Sequence, residues 1–461
     1  MFAAKMTPTE RSATISLSTI MGLRMIGLFM VLPVFSLYAS TLEGATPLLI
    51  GIAMGIYGLS QAIFQITFGV LSDHIGRKPT ILLSLIIFAA GSIMCGMADS
   101  ITMMIAGRTL QGIGAVGSTI LALMADLTRE EQRTKSMMVA GLTIGFSFSL
   151  AMLLGPVLSQ WLSISALFYI ATGLAAVAAA ILYIYVPTPV TLRWHRDTEP
   201  ELTSFLHLLV EPQLAKLNIG IFLLHAIFTA SFIVIPIALQ ENIDLAVHQQ
   251  WEIYLPALLA ALVISLVAMG RAERQQQIKQ YLLAGVLTLA GAELLFWIGT
   301  HNVILTAISI SLFFAAFSLL EAFLPSLISR AAPASCKGSA MGIYSCAQYS
   351  GIFAGGVLGG WLYGTYHFSG VYLFCVTLAL IWSLLVLLMR QPRYLITQVL
   401  RLTPAQQSSW NTYATQLHLI PGMVEVTLVT EDGLAYLKMD RKTTQDPDFI
   451  RLKEQLQSGN L

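Results

Sequence analysis

The chain has 461 residues, of which 56% are hydrophobic and only 11% are charged. An average soluble domain is about 25% charged and buries at most ~75% of its surface, so a water-soluble protein of this composition is excluded and lipid must solvate much of the chain. The net charge of +1 gives no indication of a nucleic-acid partner.

Twelve apolar runs follow one another along the chain, each long enough to cross the ~30 Å hydrocarbon core as a helix. They cover approximately residues 14–40, 47–72, 79–97, 101–126, 135–160, 165–186, 217–240, 251–270, 279–299, 302–329, 336–362 and 367–389. Lys and Arg between these runs occur only in the even-numbered connections and at the two ends. The positive-inside rule therefore predicts an all-α membrane protein with twelve transmembrane helices and both termini in the cytoplasm.

The two halves of the membrane part resemble each other in sequence. Residues 155–162 read Gly-Pro-Val-Leu-Ser-Gln-Trp-Leu, and residues 355–362 read Gly-Gly-Val-Leu-Gly-Gly-Trp-Leu. Each segment closes the fifth helix of its half, and the longest polar connection lies between the halves. This pattern predicts a six-helix half at 1–186, a cytoplasmic linker at 187–216 and a second six-helix half at 217–390.

The composition changes after Pro392, where a short soluble domain is predicted at 391–461. The predicted elements are a strand at 394–402, a helix from 403 to about 418, strands at 424–430 and 434–439, and a last helix from about 446 to 456. The order β-α-β-β-α favours an α+β ferredoxin-like sandwich in the cytoplasm, and whether it has a final strand is open.

Residues 69–79 read Gly-Val-Leu-Ser-Asp-His-Ile-Gly-Arg-Lys-Pro. This loop between the second and third helices resembles the signature loop of the major facilitator superfamily at nearly every position. Arg108 with Gln111 resembles the arginine motif of proton-coupled members, and Gly155-Pro156 resembles the helix-packing core of the antiporter motif. The resemblance covers about 12–390. It implies the major facilitator fold and a drug-proton antiporter of the bacterial inner (plasma) membrane.

The same resemblance implies a transporter and not an enzyme, and no cofactor is predicted. The tail segment 417–424 resembles heavy-metal-associated domains but lacks their CxxC loop, so no metal is predicted. The four cysteines also form no CxxC pair and lie in or beside apolar runs, which favours a packing role for them.

The signature loop is predicted to act as a conformational latch. The latch residues are Gly69, Asp73, Gly76, Arg77, Lys78 and Asp126. The two glycines allow a close helix approach and a tight turn. Asp73 can face the positive end of a helix from the other half, and Arg77 can pair with Asp126. The alternative is that Arg77 and Lys78 only fix the topology.

Four charges lie inside apolar runs and are candidates for proton coupling. They are Arg24, Arg108, Glu293 and Glu321. Each would cost ~2.5–3.5 kcal/mol or more facing lipid, so each is expected to face a cavity or a partner. Glu321 lies about 13 Å from Arg330 along its helix, where burial favours the protonated form that a proton carrier needs. Glu293 lies nearer the outer end of its helix and could simply be solvated.

Further polar side chains recur on single helix faces. Tyr57, Gln61 and Gln65 do so on the second helix, and Tyr344 and Gln348 on the eleventh. They could line a water-filled path or serve as interhelical hydrogen bonds. His225 in the seventh helix could titrate near physiological pH, or could be a hydrogen-bonded packing residue. The phenylalanines of the tenth helix are interpreted as packing residues.

No ATP-binding loop is present in the sequence, so a gradient must supply the energy. We expect a proton-coupled exporter of small amphipathic compounds, in which two halves rock about a central site. The expected partners are lipid, protons and an unknown small-molecule substrate. Two alternatives stay open. One is a proton-coupled importer, and the other is a membrane sensor whose soluble domain signals to a cytoplasmic partner.

Overall fold

A computed structural model describes most of the chain. The described residues are 6–114, 117–187, 208–299, 301–333, 336–391, 395–402, 407, 410–429, 434–440, 443–444 and 446–458. Most of the predicted linker at 187–216 therefore lies outside the described residues.

The first half is entirely helical where it is described. Its helices are α1 (Pro8–Phe29), α2 (Leu32–Ala39), α3 (Pro47–Ile75), α4 (Arg77–Gly96), α5 (Ile101–Ile113), α6 (Gly117–Asp126), α7 (Glu130–Leu158) and α8 (Ile164–Tyr185). Pro33 accounts for the break between α1 and α2, because its ring nitrogen cannot donate to the carbonyl of Phe29. Thr46, Ser100 and Ser163 begin α3, α5 and α8 as N-caps that accept a backbone N–H.

The second half continues the helical pattern. Its helices are α9 (Pro212–Glu241), α10 (Trp251–Gln275), α11 (Ile278–Ile298), α12 (Val303–Ala331) and α13 (Lys337–Leu387), with a 3-10 turn at Val247–Gln249 before α10. Asn302 caps the start of α12 by accepting from the amides of Ile304 and Leu305. Helix α9 is buried over most of its length, so it forms the centre of this half.

Within the described residues, ten helices are long and apolar enough to cross a membrane. Helices α5 and α6 have 13 and 10 residues, and they flank Gly114, whose ψ of 46° is not helical. Helix α13 has 51 residues and contains His367 in a non-helical conformation with φ 52° and ψ −151°. A helical membrane fold is therefore confirmed, whereas the number of twelve crossings stays a prediction.

We call the end of the helix bundle at which α1 begins and α3 ends the terminal side, and the other end the opposite side. On the opposite side the two halves are packed tightly together. A Cβ placed on Gly356 of α13 would lie 2.5 Å from the carbonyl oxygen of Gly51 of α3. A Cβ on Gly58 would lie 2.6 Å from the carbonyl oxygen of Tyr349. Such an approach needs glycine, so these residues form a closed seam between the halves.

On the terminal side the glycines of the same two helices make no such contact. A Cβ placed on Gly69 of α3, or on Gly338 or Gly342 of α13, would have no heavy atom within 4 Å. Between the two regions, the Cys346 thiol reaches the carbonyl oxygen of Ala62 at 3.6 Å. The described conformation is therefore closed on the opposite side and open between α3 and α13 on the terminal side.

The C-terminal domain contains a three-stranded antiparallel sheet. Its elements are β1 (Leu395–Arg401), α14 (Trp410–His418), β2 (Met423–Val429), β3 (Leu434–Asp440) and α15 (Pro447–Ser458), with the strand order β1-β3-β2. Ala435, Leu437 and Met439 of the central strand are fully buried and pack with Trp410 and Phe449. This packing explains the alternating pattern of β3, and the assignment to the ferredoxin-like class stays a prediction.

Candidate functional site

The charged residues of the signature loop come together at the terminal side. Arg77 Nη1 lies 2.6 Å from Asp73 Oδ1, and Arg77 Nε lies 3.2 Å from Asp126 Oδ2. The Arg77 side chain is 12% exposed and also donates to the hydroxyl of Ser72. Gly76 has φ 94° and joins α3 to α4, a conformation that favours glycine. The predicted pairing of Arg77 with Asp126 is therefore present.

These ion pairs connect helices of the first half only. Asp73 belongs to α3, Arg77 to α4 and Asp126 to α6, and Lys78 Nζ donates to the carbonyl of Val186 beyond α8 at 2.6 Å. None of these pairs reaches a helix of the second half, so they do not by themselves hold the two halves together. The latch stays a prediction.

Arg24 lies in the interior of the first half and is 2% exposed. Its Nη2 donates to the carbonyl oxygen of Gly114 at 3.1 Å, to Tyr57 Oη at 3.3 Å and to Gln61 Oε1 at 3.5 Å. The Gly114 carbonyl is available because the helix is interrupted there. Tyr57 and Gln61, two predicted cavity-lining residues, are thus buried partners of Arg24, whereas Gln65 is half-buried.

Arg108 is the second buried guanidinium of the first half. It donates from Nη1 to Gln111 Oε1 at 2.8 Å, and Gln111 donates in turn to Ser92. Its guanidinium carbon lies 5.1 Å from the centre of the Tyr57 ring and 5.4 Å from that of Phe35. Within the part of the chain that is described, neither Arg108 nor Arg24 forms an ion pair with a carboxylate. Tyr57 contacts both cations, since its hydroxyl accepts from Arg24 and its ring lies against Arg108.

Three polar side chains meet in the second half, one each from α9, α12 and α13. Gln348 Nε2 lies 2.9 Å from His225 Nε2 and 3.2 Å from Glu321 Oε1, and His225 Nε2 lies 3.8 Å from Glu321 Oε2. His225 Nδ1 lies 3.3 Å from the carbonyl of Ile221. Which of these ring nitrogens donates depends on the His225 tautomer and on the orientation of the Gln348 amide. The three side chains therefore form one hydrogen-bonded cluster.

A group of aromatic rings lies beside this polar cluster and bridges the two halves. Phe148 of α7 lies 5.1 Å from Phe29, 6.0 Å from Phe228 and 5.9 Å from Phe317, measured between ring centres. The Phe317 ring lies 5.7 Å from the ring of His225. Neither Phe148 nor Phe228 stands out in the sequence, because each is one apolar residue within a long apolar helix.

Glu293 is fully buried, with 0% exposure, so the alternative that it is solvated is wrong. Its Oε1 lies 2.6 Å from the Ser231 hydroxyl, and its Oε2 has no hydrogen-bond partner in the described structure. The Ser231 hydroxyl is also 2.8 Å from the carbonyl of Ile227. The Ser231 hydroxyl therefore lies within donating distance of both Glu293 Oε1 and the Ile227 carbonyl oxygen.

The remaining predicted residues also have clear positions. Tyr344 is buried, and its hydroxyl has no hydrogen-bond partner among the described residues. It lies one turn before Gln348 on α13. Gly155 and Pro156 lie within α7, and a Cβ on Gly155 would clash with the backbone carbonyl oxygen of Met30. Gly155 therefore permits the close packing of α7 on the break between α1 and α2.

Comparison with known proteins agrees with this architecture. The sequence profile of the Major Facilitator Superfamily matches residues 17–356. The chain belongs to the major facilitator superfamily. This transporter is 41% identical to the inner membrane transport protein YajR of Escherichia coli (strain K12), over 95% of its own length and 96% of that protein. It is a membrane transporter and not an enzyme.

Two other similarities bear on this transporter. It is 31% identical to the class B tetracycline resistance protein of Escherichia coli, over 32% of its own length and 37% of that protein. The crystal structure of the nucleoside transporter NupG superposes with a TM-score of 0.65 at 14% identity, covering 83% of this chain and 99% of NupG. At that identity the superposition shows the fold alone.

Proposed function

We propose that this transporter is proton-coupled and exports small amphipathic compounds by alternating access. The twelve crossings would form two six-helix halves in the inner membrane. Helices α5 and α6 together would make the fourth crossing, and α13 would turn at His367 between the eleventh and the twelfth. The terminal side would face the cytoplasm, because the basic residues of the connections lie on that side. The appended domain would be a ferredoxin-like module.

The cluster of His225, Gln348 and Glu321 is the observation that carries the proposal. Glu321 Oε2 has no hydrogen-bond partner among the described residues, 36% of the Glu321 side chain is exposed, and His225, which is charged only if protonated, lies 3.8 Å away. A partly exposed carboxyl group within the membrane, without a permanently charged partner, is placed to exchange a proton with water. Glu321 would therefore exchange its proton with the side to which the site is open and keep it while the site is closed.

Protonation of His225 would change the same cluster. Its Nε2 would become a donor, so the Gln348 amide nitrogen could no longer point to it. The amide would have to turn, which would remove its hydrogen bond to Glu321 and bring His225 and Glu321 into direct ion pairing. The three residues would thus couple the protonation of one side chain to the release of a proton from another.

Alternating access is supported by the unequal packing of α3 and α13. The glycine seam around Gly51 and Gly356 closes the opposite side, whereas Gly69 and Gly342 have open space on the terminal side. Rocking of the halves would exchange these two arrangements. In the other state Asp73 would approach the start of α13, with Arg77, Lys78 and Asp126 holding its orientation.

Export of amphipathic compounds is supported by two observations. The aromatic rings of Phe148, Phe228 and Phe317 lie between the halves and beside the polar cluster, so an apolar and a polar surface adjoin. The tetracycline resistance protein is a relative whose name denotes drug resistance. Arg24, Arg108 and Glu293 would support proton coupling from the interior of their halves, where each is buried.

Proton release from the purified transporter tests the proposal. A panel of amphipathic compounds, tetracycline included, would be added to weakly buffered protein while the pH is recorded. We expect binding to release protons from the parent protein and to release none from Glu321→Gln. Glu252→Gln, at an exposed position of α10, serves as the matched control. Equal proton release from the parent and Glu321→Gln would contradict the assignment of Glu321.

A further inference from the structure

The central strand of the C-terminal domain carries a lysine whose position is unusual for a soluble sheet. Lys438 of β3 is only 6% exposed, although Ala435, Leu437 and Met439 point to the other face, which the domain's own core covers. An outward-facing lysine of a one-sided sheet is normally solvated. Something outside the core of the domain must therefore cover Lys438.

The covering element is the terminal-side end of α12. Lys438 Nζ donates to the main-chain carbonyl oxygen of Ala332 at 3.1 Å. Ala332 is the C-cap of α12, has an extended conformation with ψ 142°, and is fully buried. The last carbonyls of a helix have no partner within the helix and form the negative end of its dipole, so a lysine is a suitable ligand for them.

The end of the neighbouring helix α13 also receives hydrogen bonds from lysines, but these lysines belong to the membrane part. Lys279 Nζ donates to the carbonyl oxygens of Leu387 and Met389 at the end of α13, and Lys216 donates to that of Leu388. The cation at the end of α13 thus comes from neighbouring membrane helices. The cation at the end of α12 comes from the soluble domain.

The charged groups around Lys438 are compatible with a specific contact. Glu425 of the adjacent strand lies 4.0 Å from Nζ, and Lys337 at the start of α13 acts on Lys438 with the opposite sign. The negative charge of Glu425 and the negative end of the α12 dipole therefore offset the positive charges of the two lysines. This arrangement gives the outer face of the sheet a defined polar anchor at the junction of α12 and α13.

We propose that the outer face of the C-terminal sheet is a docking surface for the end of α12 of the same chain, with Lys438 as its anchor. The domain is then an extension of the second half and moves with it. Glu321 lies on α12 about three turns before Ala332. The contact therefore connects the soluble domain to the helix that carries the central polar cluster.

Spin labels on the full-length transporter test the docking. Cys336 and Cys346 would be replaced by serine, and labels placed at Leu419 of the domain and Arg271 at the end of α10, both exposed. We expect one narrow distance in the parent protein. Lys438→Glu places a carboxylate against the Ala332 carbonyl and Glu425, and should give a broad distribution. Asp440→Asn, an exposed change in the same strand, should leave the narrow distance unchanged.

Hydrogen exchange of the same proteins gives the second readout. Amides in the last turn of α12 should exchange about two- to thirtyfold faster in Lys438→Glu, as expected for loss of a favourable cation at a helix end. Unchanged exchange in β3 would show that the domain is still folded. If Lys438→Glu unfolds the domain, the test depends on the spin-label distance in the parent protein, where a broad distribution overturns the docking. An unchanged narrow distance in a folded Lys438→Glu also overturns it.

Discussion

Gly356 of α13 and Gly51 of α3 approach each other so closely that neither position can accept a methyl group in the described conformation. A Cβ on Gly356 would lie 2.5 Å from the carbonyl oxygen of Gly51, a distance that real Cβ contacts essentially never show. The obstacle is backbone on both sides, so a larger residue fits only if the helices separate. The closure of the opposite side therefore depends on these glycines.

Gly356→Ala should shift the transporter away from the conformation that is closed on the opposite side. Overpacking of this kind costs ~1–3 kcal/mol, which corresponds to a population change of roughly 5- to 150-fold. Spin labels at the exposed Thr41 and Tyr366 should report a longer distance. Gly342→Ala is the matched control, because its Cβ would meet no atom within 4 Å. Equal distances in both variants would show that the seam does not control the closure.

Asp73→Asn should reduce the population that is closed on the terminal side. The pair with Arg77 is already formed in the described conformation, so the shift comes from the helix-end interaction of Asp73. That interaction contributes about 0.3–1 kcal/mol, which corresponds to a roughly two- to fivefold change in population. Labels at Ile75 and Gly338 should therefore move apart. Arg77→Lys should behave similarly because the planar fork is lost, whereas the exposed neighbour His74→Asn should not.

Tyr57→Phe distinguishes a buried partner of Arg24 from a cavity-lining residue. The substitution removes the hydroxyl that accepts from Arg24 but keeps the ring beneath Arg108. Loss of a buried acceptor for a charged donor should destabilise the protein by about 1–3 kcal/mol, seen as a lower Tm in detergent. Gln65→Ala, at a half-buried position of the same helix, should change stability little. An unchanged Tm in Tyr57→Phe would favour the cavity-lining alternative.

The C-terminal domain should become more stable as the pH rises toward the pKa of a lysine in the unfolded chain. Burial lowers the pKa of Lys438 below its ordinary value of 10.5, and Glu425 opposes this only in part. Between the two pKa values the unfolded chain binds more protons than the folded chain, so the free energy of unfolding increases with pH in that window. Pulse proteolysis of the domain in urea, from pH 8 to pH 10, should show the increase.

Lys438→Arg provides the control for this pH dependence. Arginine stays charged throughout the range, so the part of the increase that belongs to position 438 should disappear. Other lysines and tyrosines titrate in the same range, and the difference between the parent and the variant removes their contribution. The same pH dependence in both proteins would contradict the assignment to Lys438.

Local chemistry made several features predictable from the sequence. The pairing of Arg77 with Asp126 followed from the positive-inside pattern and from two helix ends on one side. The contact of Glu321 with Gln348 agrees with its position deep in an apolar helix, because a charge there must find a polar environment. The strands of the C-terminal domain followed from the alternation of Leu437 and its neighbours.

Relationships between distant segments could not be predicted. Gly51 and Gly356 are ordinary glycines of apolar helices, and only the packing of α3 on α13 shows that they face each other. The partnership of Arg24 with Gly114 depends on an interruption of the fourth helix that the sequence pattern did not indicate. Likewise, the burial of Lys438 depends on where the domain lies, which its strand pattern does not determine.

The central claim is that Glu321 exchanges protons, and infrared difference spectroscopy of the lipid-reconstituted transporter tests it without a known substrate. The band of protonated carboxyl groups would be recorded while the pH is changed. We predict a component that titrates in the parent protein, persists in Glu293→Gln and is absent from Glu321→Gln. If the titrating component is unchanged in Glu321→Gln, Glu321 is not the proton carrier and the proposed coupling is wrong.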